Sequence, residues 1–348
     1  MTGAVATKSL PTVTGFAVGC AIEWLRQHDV APLPLLQRVG LDEPSFEGGR
    51  RRVSAVAQGE FLECAADAMN DPAFGLHLAI HSNARDVGLL FFVATAAKNF
   101  GEALELVARY FRIVNESVRF VFKREPEGAV VEFSLVGVSQ HRVRQNTEFW
   151  LALLVKAARE VTGLNIQPTR VVCPHLREQN VEEFERFFGC PVEFGASSGQ
   201  LAFSNETLGL RLITEDPHLL KVLEPFCNEA GKTRNTAPAS FRATVENELE
   251  RLLPHAQADA KKVGEMLGVS TGILSRRLSK EGTTFGEVVD ELRRSLALQY
   301  LKEPAFTLTQ IAWLLGYEQP NSFKHAFKRW TGQSPSAIRG KKRPPWPL

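Results

Sequence analysis

No apolar stretch in this chain of 348 residues approaches the ~18 residues that span a bilayer. The nearest, Gly88–Ala97 (GLLFFVATAA), is too short and sits deep in the sequence. The first fifteen residues hold Lys8 with no long apolar core behind it, so they do not read as a signal peptide. The expectation is a soluble, cytoplasmic protein. Cysteine is sparse and scattered: Cys20, Cys64, Cys173, Cys190 and Cys227, an odd number with no C-x-x-C. That argues against a disulfide framework and for buried, reduced thiols. No P-loop and no dinucleotide fingerprint is present, and no cofactor is expected. With 44% hydrophobic and 23% charged residues, neither wholesale disorder nor a fibrous repeat fits. The length suggests two or three domains.

The net charge of +2 is small, but its distribution is uneven. Residues 241–348 hold 17 Lys and Arg against 11 Asp and Glu, whereas residues 1–240 hold 24 against 28. A mildly acidic body carries a basic tail, which points to a polyanionic partner for the tail. The charge changes sign at Gly231–Ser240 (GKTRNTAPAS), a polar stretch with Gly and Pro that reads as a linker. It separates a mildly acidic domain, 1–230, from a basic domain, 241–348.

In the first domain helical and extended patterns mix. Helical spacing marks Phe16–His28, Pro34–Val39, Ala55–Met69, Gly88–Ala97, Phe100–Arg112, Arg144–Thr162 and Val181–Phe188. Alternation marks strands at Arg119–Arg124 and Val130–Val136, joined by the turn Glu125–Gly128, and shorter ones at Arg170–Cys173 and Gln200–Phe203. The fold class is therefore α+β, a small sheet flanked by helices. Phe91, Phe92, Phe111, Phe120, Phe122, Phe133, Phe149 and Trp150 cluster here. Most would pack a core, and some could line an apolar pocket for a small effector.

After the linker only helices are expected, starting with Phe241–Leu253, and the remainder repeats itself. Val263–Phe285 aligns with Ile311–Pro335: Val263 with Ile311, Leu267 with Leu315, Gly268 with Gly316, Leu274 with Phe323, Leu278 with Phe327 and Thr284 with Ser334. Each unit reads as helix, glycine turn, helix. The glycine suits a left-handed helix end, Ser270 suits an N-cap and Pro320 suits a first helical position. Leu274/Leu278 and Phe323/Phe327 lie at i, i+4 and face a common core, with Trp313 and Trp330 expected to join it. The intervening faces stay polar and basic. Such a unit is a helix-turn-helix, whose second helix fits the DNA major groove. Phe285–Leu301 between the two reads as a rigid connecting helix that could set the recognition helices ~34 Å apart, one turn of DNA.

The second unit carries a long motif: Ile311-Ala312, Leu315-Gly316-Tyr317, Ser322-Phe323, Ala326-Phe327-Lys328-Arg329-Trp330, Gly332, Ser334-Pro335 and Arg339. Through it, residues 241–339 resemble the DNA-binding domain of the AraC/XylS family of bacterial transcription regulators. Shorter matches occur at Asp71-Pro72, Phe74-Gly75-Leu76, Gly88-Leu89, Glu102-Ala103-Leu104, Arg186–Gly189 and Pro191–Phe194. They resemble the arabinose-binding-type regulatory domain of the ornithine-utilisation-regulator type, a name that need not describe the ligand.

The resemblance implies base reading near the start of each second helix, by Thr271, Gly272, Ser275 and Arg276 in one unit and Pro320, Asn321, Ser322 and His325 in the other. Arg276 could pair bidentately with guanine and Asn321 with adenine. Lys280 adds to the first basic face, and Lys324, Lys328 and Arg329 suit phosphate. Gly272 stands where some relatives carry a larger side chain, and His325 where many carry Arg. The implied function is a ligand-responsive transcription regulator, an activator of a metabolic or virulence operon. It would act as a homodimer on double-stranded promoter DNA, with a small-molecule effector and RNA polymerase as partners. The basic cluster Lys341-Lys342-Arg343 has no role beyond general attraction to phosphate.

Two further motifs point elsewhere. Gly195–Gly199 (GASSG) matches the G-x-S-x-G nucleophile elbow, which would make Ser197 the nucleophile of a hydrolase. Residues 200–203 read as a strand rather than the required helix, so a hairpin turn is expected and no enzyme. His77 and His81, at i, i+4, could share a metal, but no Cys or Glu completes a site nearby. A constitutive DNA-binding oligomer without an effector is the remaining rival.

Overall fold

Short alternating segments pair first in the computed structural model, which describes residues 11–42, 52–196, 198–232, 234 and 240–340. Thr12–Thr14 (β1) and Arg52–Ser54 (β2) form an antiparallel ribbon. Arg52 fastens it by donating to the Thr12 and Ile113 carbonyls, at 2.8 and 2.7 Å. Helical periodicity then gives α1 (Phe16–Gln27), α2 (Leu33–Arg38), α3 (Ala55–Met69), α4 (Phe74–His81), α5 (Leu89–Thr95) and α6 (Phe100–Tyr110). Asn70 stops α3 in a left-handed conformation, φ 50°, just before Asp71-Pro72. Ribbon β1–β2 and helix α4 were not anticipated as elements; three-residue strands carry too little alternation to show.

The main sheet has five strands in the order β3-β4-β7-β5-β6. Val118–Glu125 (β3) and Gly128–Leu135 (β4) form a hairpin closed by Pro126 and Glu127, as expected. Arg170–Cys173 (β5) pairs parallel with Val192–Phe194 (β6) and antiparallel with Gly199–Ser204 (β7). The expected hairpin turn at 195–199 is therefore corrected. Strands β6 and β7 lie on opposite sides of β5, so this segment crosses over rather than turning between paired strands. Gly195 anchors it at φ 87°, donating to the Cys173 and His175 carbonyls.

Arg144–Thr162 (α7) forms the spine of this unit and packs closely on α4. A Cβ at Gly75 would sit 2.1 Å from the Gln145 carbonyl oxygen, so only glycine allows the approach. Helices α8 (Val181–Phe188) and α9 (Asn205–Leu208) follow, then α10 (Pro217–Lys232), which packs on α5. Helix α10 carries no clear local signal, because Pro225 lies inside it and only Cys227 is buried. Gly231 and Lys232 of the expected linker are its last residues, while 235–239 lie outside the described residues.

The chain divides between Ser240 and Phe241 into two compact units. The second is all helix among the described residues: α11 (Phe241–Leu252), α12 (Ala260–Met266), α13 (Thr271–Lys280), α14 (Phe285–Tyr300), α15 (Leu308–Leu314), α16 (Pro320–Thr331) and α17 (Pro335–Gly340). Its core is built from the predicted positions, with Val263, Leu274, Leu278, Ile311, Leu315, Phe323 and Phe327 all buried. Trp313 is a correction: it is 56% exposed rather than part of the core. Ile311, Ala312 and Leu315 occupy the buried face of α15, and Trp313 projects from the other side.

Candidate nucleic-acid interface and N-terminal cavity

The two helix-turn-helix units are α12–α13 and α15–α16. Gly268 and Gly316 sit in their turns at φ 65° and 77°, a region that penalises any side chain. Each helix start is capped locally. Asp259 accepts from the Lys261 and Lys262 amides at 2.9 and 2.8 Å, and Ser270 accepts from the Ile273 amide. Thr307 and Gln310 form a capping box on α15, as Thr284 and Glu287 do on α14. Pro320 opens α16 at a position where a missing N–H costs nothing.

This backbone presents two faces. On α13, Thr271, Gly272, Ser275, Arg276 and Lys280 are exposed while Leu274 and Leu278 point inward. On α16, Asn321, Ser322, Lys324, His325, Lys328 and Arg329 are exposed and Pro320 is half-buried, around buried Phe323 and Phe327. Arg276 and Lys328 make no ion pair with the described residues, so their charges are available to a partner. Arg329 differs: its Nη2 lies 2.9 Å from Asp290 Oδ2 of α14. A phosphate contact by Arg329 would compete with that exposed pair.

Helix α14 is fixed to its neighbours by arginines that the sequence did not single out. Arg293 donates to the Leu315 carbonyl at 2.9 Å, and its guanidinium lies 4.7 Å from the Tyr317 ring centroid. Arg242 of α11 reaches Glu246 and Glu291, and Arg277 stacks on Phe241 at 5.1 Å. A contact of α14 with the turn of the second unit is a long-range event, invisible in local patterning.

The first unit holds an apolar cavity of about 100 Å³ between α5, α6, α7 and β3. Leu90, Phe91, Leu104, Phe111, Phe120 and Trp150 are among its walls. Phe91, Phe111, Phe120 and Trp150 of the expected aromatic cluster thus meet here, and Phe133 and Phe149 pack the core. Phe92 does neither and is 44% exposed.

A buried polar group joins α7 to the segment after β5. Glu148 of α7 accepts from Arg177 Nε at 3.0 Å and Nη2 at 2.5 Å, and lies 2.6 Å from His175 Nε2. Burial opposes its ionisation, yet the Arg177 guanidinium and the His175 hydrogen bond hold the carboxyl down at about 2. The same burial pushes the His175 pKa below its usual value, so His175 is a neutral partner. These residues lie 27 and 29 positions from Glu148, too far for local reading.

The other two signals resolve simply. His77 and His81 do not share a ligand site: His77 bridges Asp71 and Glu183 at 2.7 Å each, while His81 stacks on Trp24 at 4.4 Å. The Asp71 hydrogen bond first, then Glu183, raises the His77 pKa to about 9 against the cost of burial. A raised folded pKa means this stabilisation is full below pH ~6.5 and fades as pH rises through about 9. An NMR titration of the His77 ring should show a midpoint near 9 that falls toward ~6.5 in Glu183→Gln/Asp71→Asn. Ser197 lies outside the described residues, but β7 follows it where a nucleophile elbow needs a helix.

Comparison with known proteins places these features. Residues 30–212 match the family model described as the arabinose-binding domain of AraC transcription regulator, N-terminal. Residues 263–341 match a helix-turn-helix domain. The chain is 26% identical over 324 residues to the ornithine utilization regulator of Pseudomonas aeruginosa, covering 91% of this chain and 93% of that one. It is also 26% identical to the HTH-type transcriptional regulator VirS of Mycobacterium tuberculosis, over 90% and 92% of the two chains. The solved structure of the transcriptional regulator CdpR from Pseudomonas aeruginosa aligns over 92% of this chain and 98% of that one, at 24% identity and a TM-score of 0.42.

Proposed function

The chain belongs to the AraC family of transcription regulators, and from that premise we propose how its residues divide the work. At the coarser level it is a sequence-specific DNA-binding regulator with an N-terminal ligand-binding domain, in a family whose relatives are regulators and not enzymes. In our reading residues 241–348 bind promoter DNA with both units, α13 and α16 each entering a major groove. Residues 1–230 sense a small molecule and pair two copies of the chain in the cytoplasm. Effector binding favours the arrangement in which both recognition domains suit the operator, a population shift. The outcome is activation through RNA polymerase.

The observation that carries this reading is the repeated unit itself. Two glycine turns, two buried i, i+4 pairs and two exposed faces rich in Lys, Arg, Ser and Asn recur in one compact body. A plain helical bundle needs no such duplication of its exposed faces. Arg276, exposed and unpaired among the described residues, is the strongest base reader, with Asn321 its counterpart on α16. Thr271, Gly272, Ser275, Pro320, Ser322 and His325 flank them, and Lys280, Lys324, Lys328 and Arg329 suit phosphate.

Arg276→Ala should weaken specific binding by ~1–3 kcal/mol and relax one base position. Lys328→Ala should instead weaken all sequences about equally and reduce the salt slope by about one. Equilibrium binding to operator and scrambled duplexes across a salt series separates the two. Identical behaviour of both variants on both duplexes would oppose the assignment.

A further inference from the structure

We propose that the cavity between α5, α6, α7 and β3 binds an uncharged, apolar small molecule, not a sugar or an amino acid. This rests on the ligand-sensing reading above and deepens it. The family model that matches this unit is named for arabinose, and one relative for ornithine. The chemistry of the walls suits neither. Among the eighteen described lining residues only Thr95 and Trp150 carry polar side-chain atoms: the Thr95 hydroxyl donates to the Phe92 carbonyl, and the Trp150 indole Nε1 is buried out of reach of the space. No Asp, Glu, Lys, Arg or His is among the described residues that line the space. An amino acid would bury an ammonium and a carboxylate with no countercharge. A pentose would bury hydroxyls with no partners. An apolar chain or ring loses nothing and gains the contact of Leu90, Phe91, Leu104, Phe111 and Phe120.

The volume, about 100 Å³, is of the order of the ~150 Å³ cavity that holds benzene, so it admits a ring or a short chain.

The same cavity lies under the lead into α10. Thr95 and Val161 both line it. Their carbonyls accept from Thr214 Oγ1 at 2.6 Å and from the Ile213 amide at 2.8 Å, and the Ala96 carbonyl accepts from the Asp216 amide at 3.1 Å. A ligand that moves α5 against α7 therefore moves the segment that starts α10, the last helix before the DNA-binding unit.

The test uses the full chain with 1-octanol, toluene, octanoate, L-ornithine and L-arabinose, read by thermal unfolding and by affinity for promoter fragments. Saturable stabilisation by 1-octanol and toluene, and none by the three charged or polyhydroxylated compounds, is expected. Ala157→Leu, which fills the cavity, should weaken both apolar ligands about tenfold or more. Stabilisation by ornithine or arabinose alone would overturn the proposal, as would 1-octanol and toluene binding indifferent to Ala157→Leu. Binding as expected with no change in affinity for promoter fragments would keep the ligand class and overturn the sensing reading instead.

Discussion

Replacing Glu148 with Gln should destabilise the N-terminal unit by about 3–5 kcal/mol, the cost of removing one partner from a buried ion pair. Glu148 and the Arg177 side chain are both fully buried, at 0% exposure. Once the carboxylate is gone Arg177 keeps the Pro72 and Gln179 carbonyls, at 2.8 and 3.3 Å, and the Phe184 and Phe194 rings, but no anion. Its charge is then left without compensation in a region of low dielectric. Because the folded pKa of Glu148 lies near 2, below the usual 4.5, the stabilisation is complete above pH ~4.5 and is lost as pH falls toward 2. Urea unfolding of Glu148→Gln followed by a probe in the first unit measures the difference. A loss below ~1 kcal/mol would mean that water or a neighbour compensates Arg177.

Phe327→Ala should cost the second unit about 3–5 kcal/mol, the range for deleting a buried phenylalanine. Phe327 is 0% exposed and meets Phe323 edge-on at 5.6 Å between ring centroids. Together they seat α16 on the core, so the cavity left by truncation lies directly behind the proposed recognition face. Single domains have only ~5–15 kcal/mol to lose, so DNA binding should fall for every sequence alike. That separates Phe327→Ala from Arg276→Ala, which spares the fold and changes sequence preference. Circular dichroism with urea titration of both variants checks this. A Phe327→Ala chain as stable as the parent would refute the packing described for α16.

Both predictions bear on what could be read from sequence. The helix-turn-helix repeat was legible because all its signals are local: glycine at the turn, Ser270 and Pro320 at the caps, apolar residues at i and i+4. Long helices with steady periodicity, such as Ala55–Met69 and Arg144–Thr162, emerged with the boundaries expected. What escaped depends on partners distant in the chain. Strand β6 has three residues and is defined by pairing with β5. The Glu148–His175–Arg177 group joins α7 to the loop after β5, and nothing near Glu148 announces burial. Trp313 was misplaced because aromatic character alone does not say which face of α15 it occupies.

The role assigned to α13 and α16 as a pair is tested most directly by methylation-interference footprinting of the full chain on its selected DNA. Two recognition helices acting together predict protected major-groove contacts ~34 Å apart, with Arg276→Ala erasing one and Asn321→Ala the other. A footprint that neither substitution alters, or one that persists after deletion of residues 241–348, would contradict it.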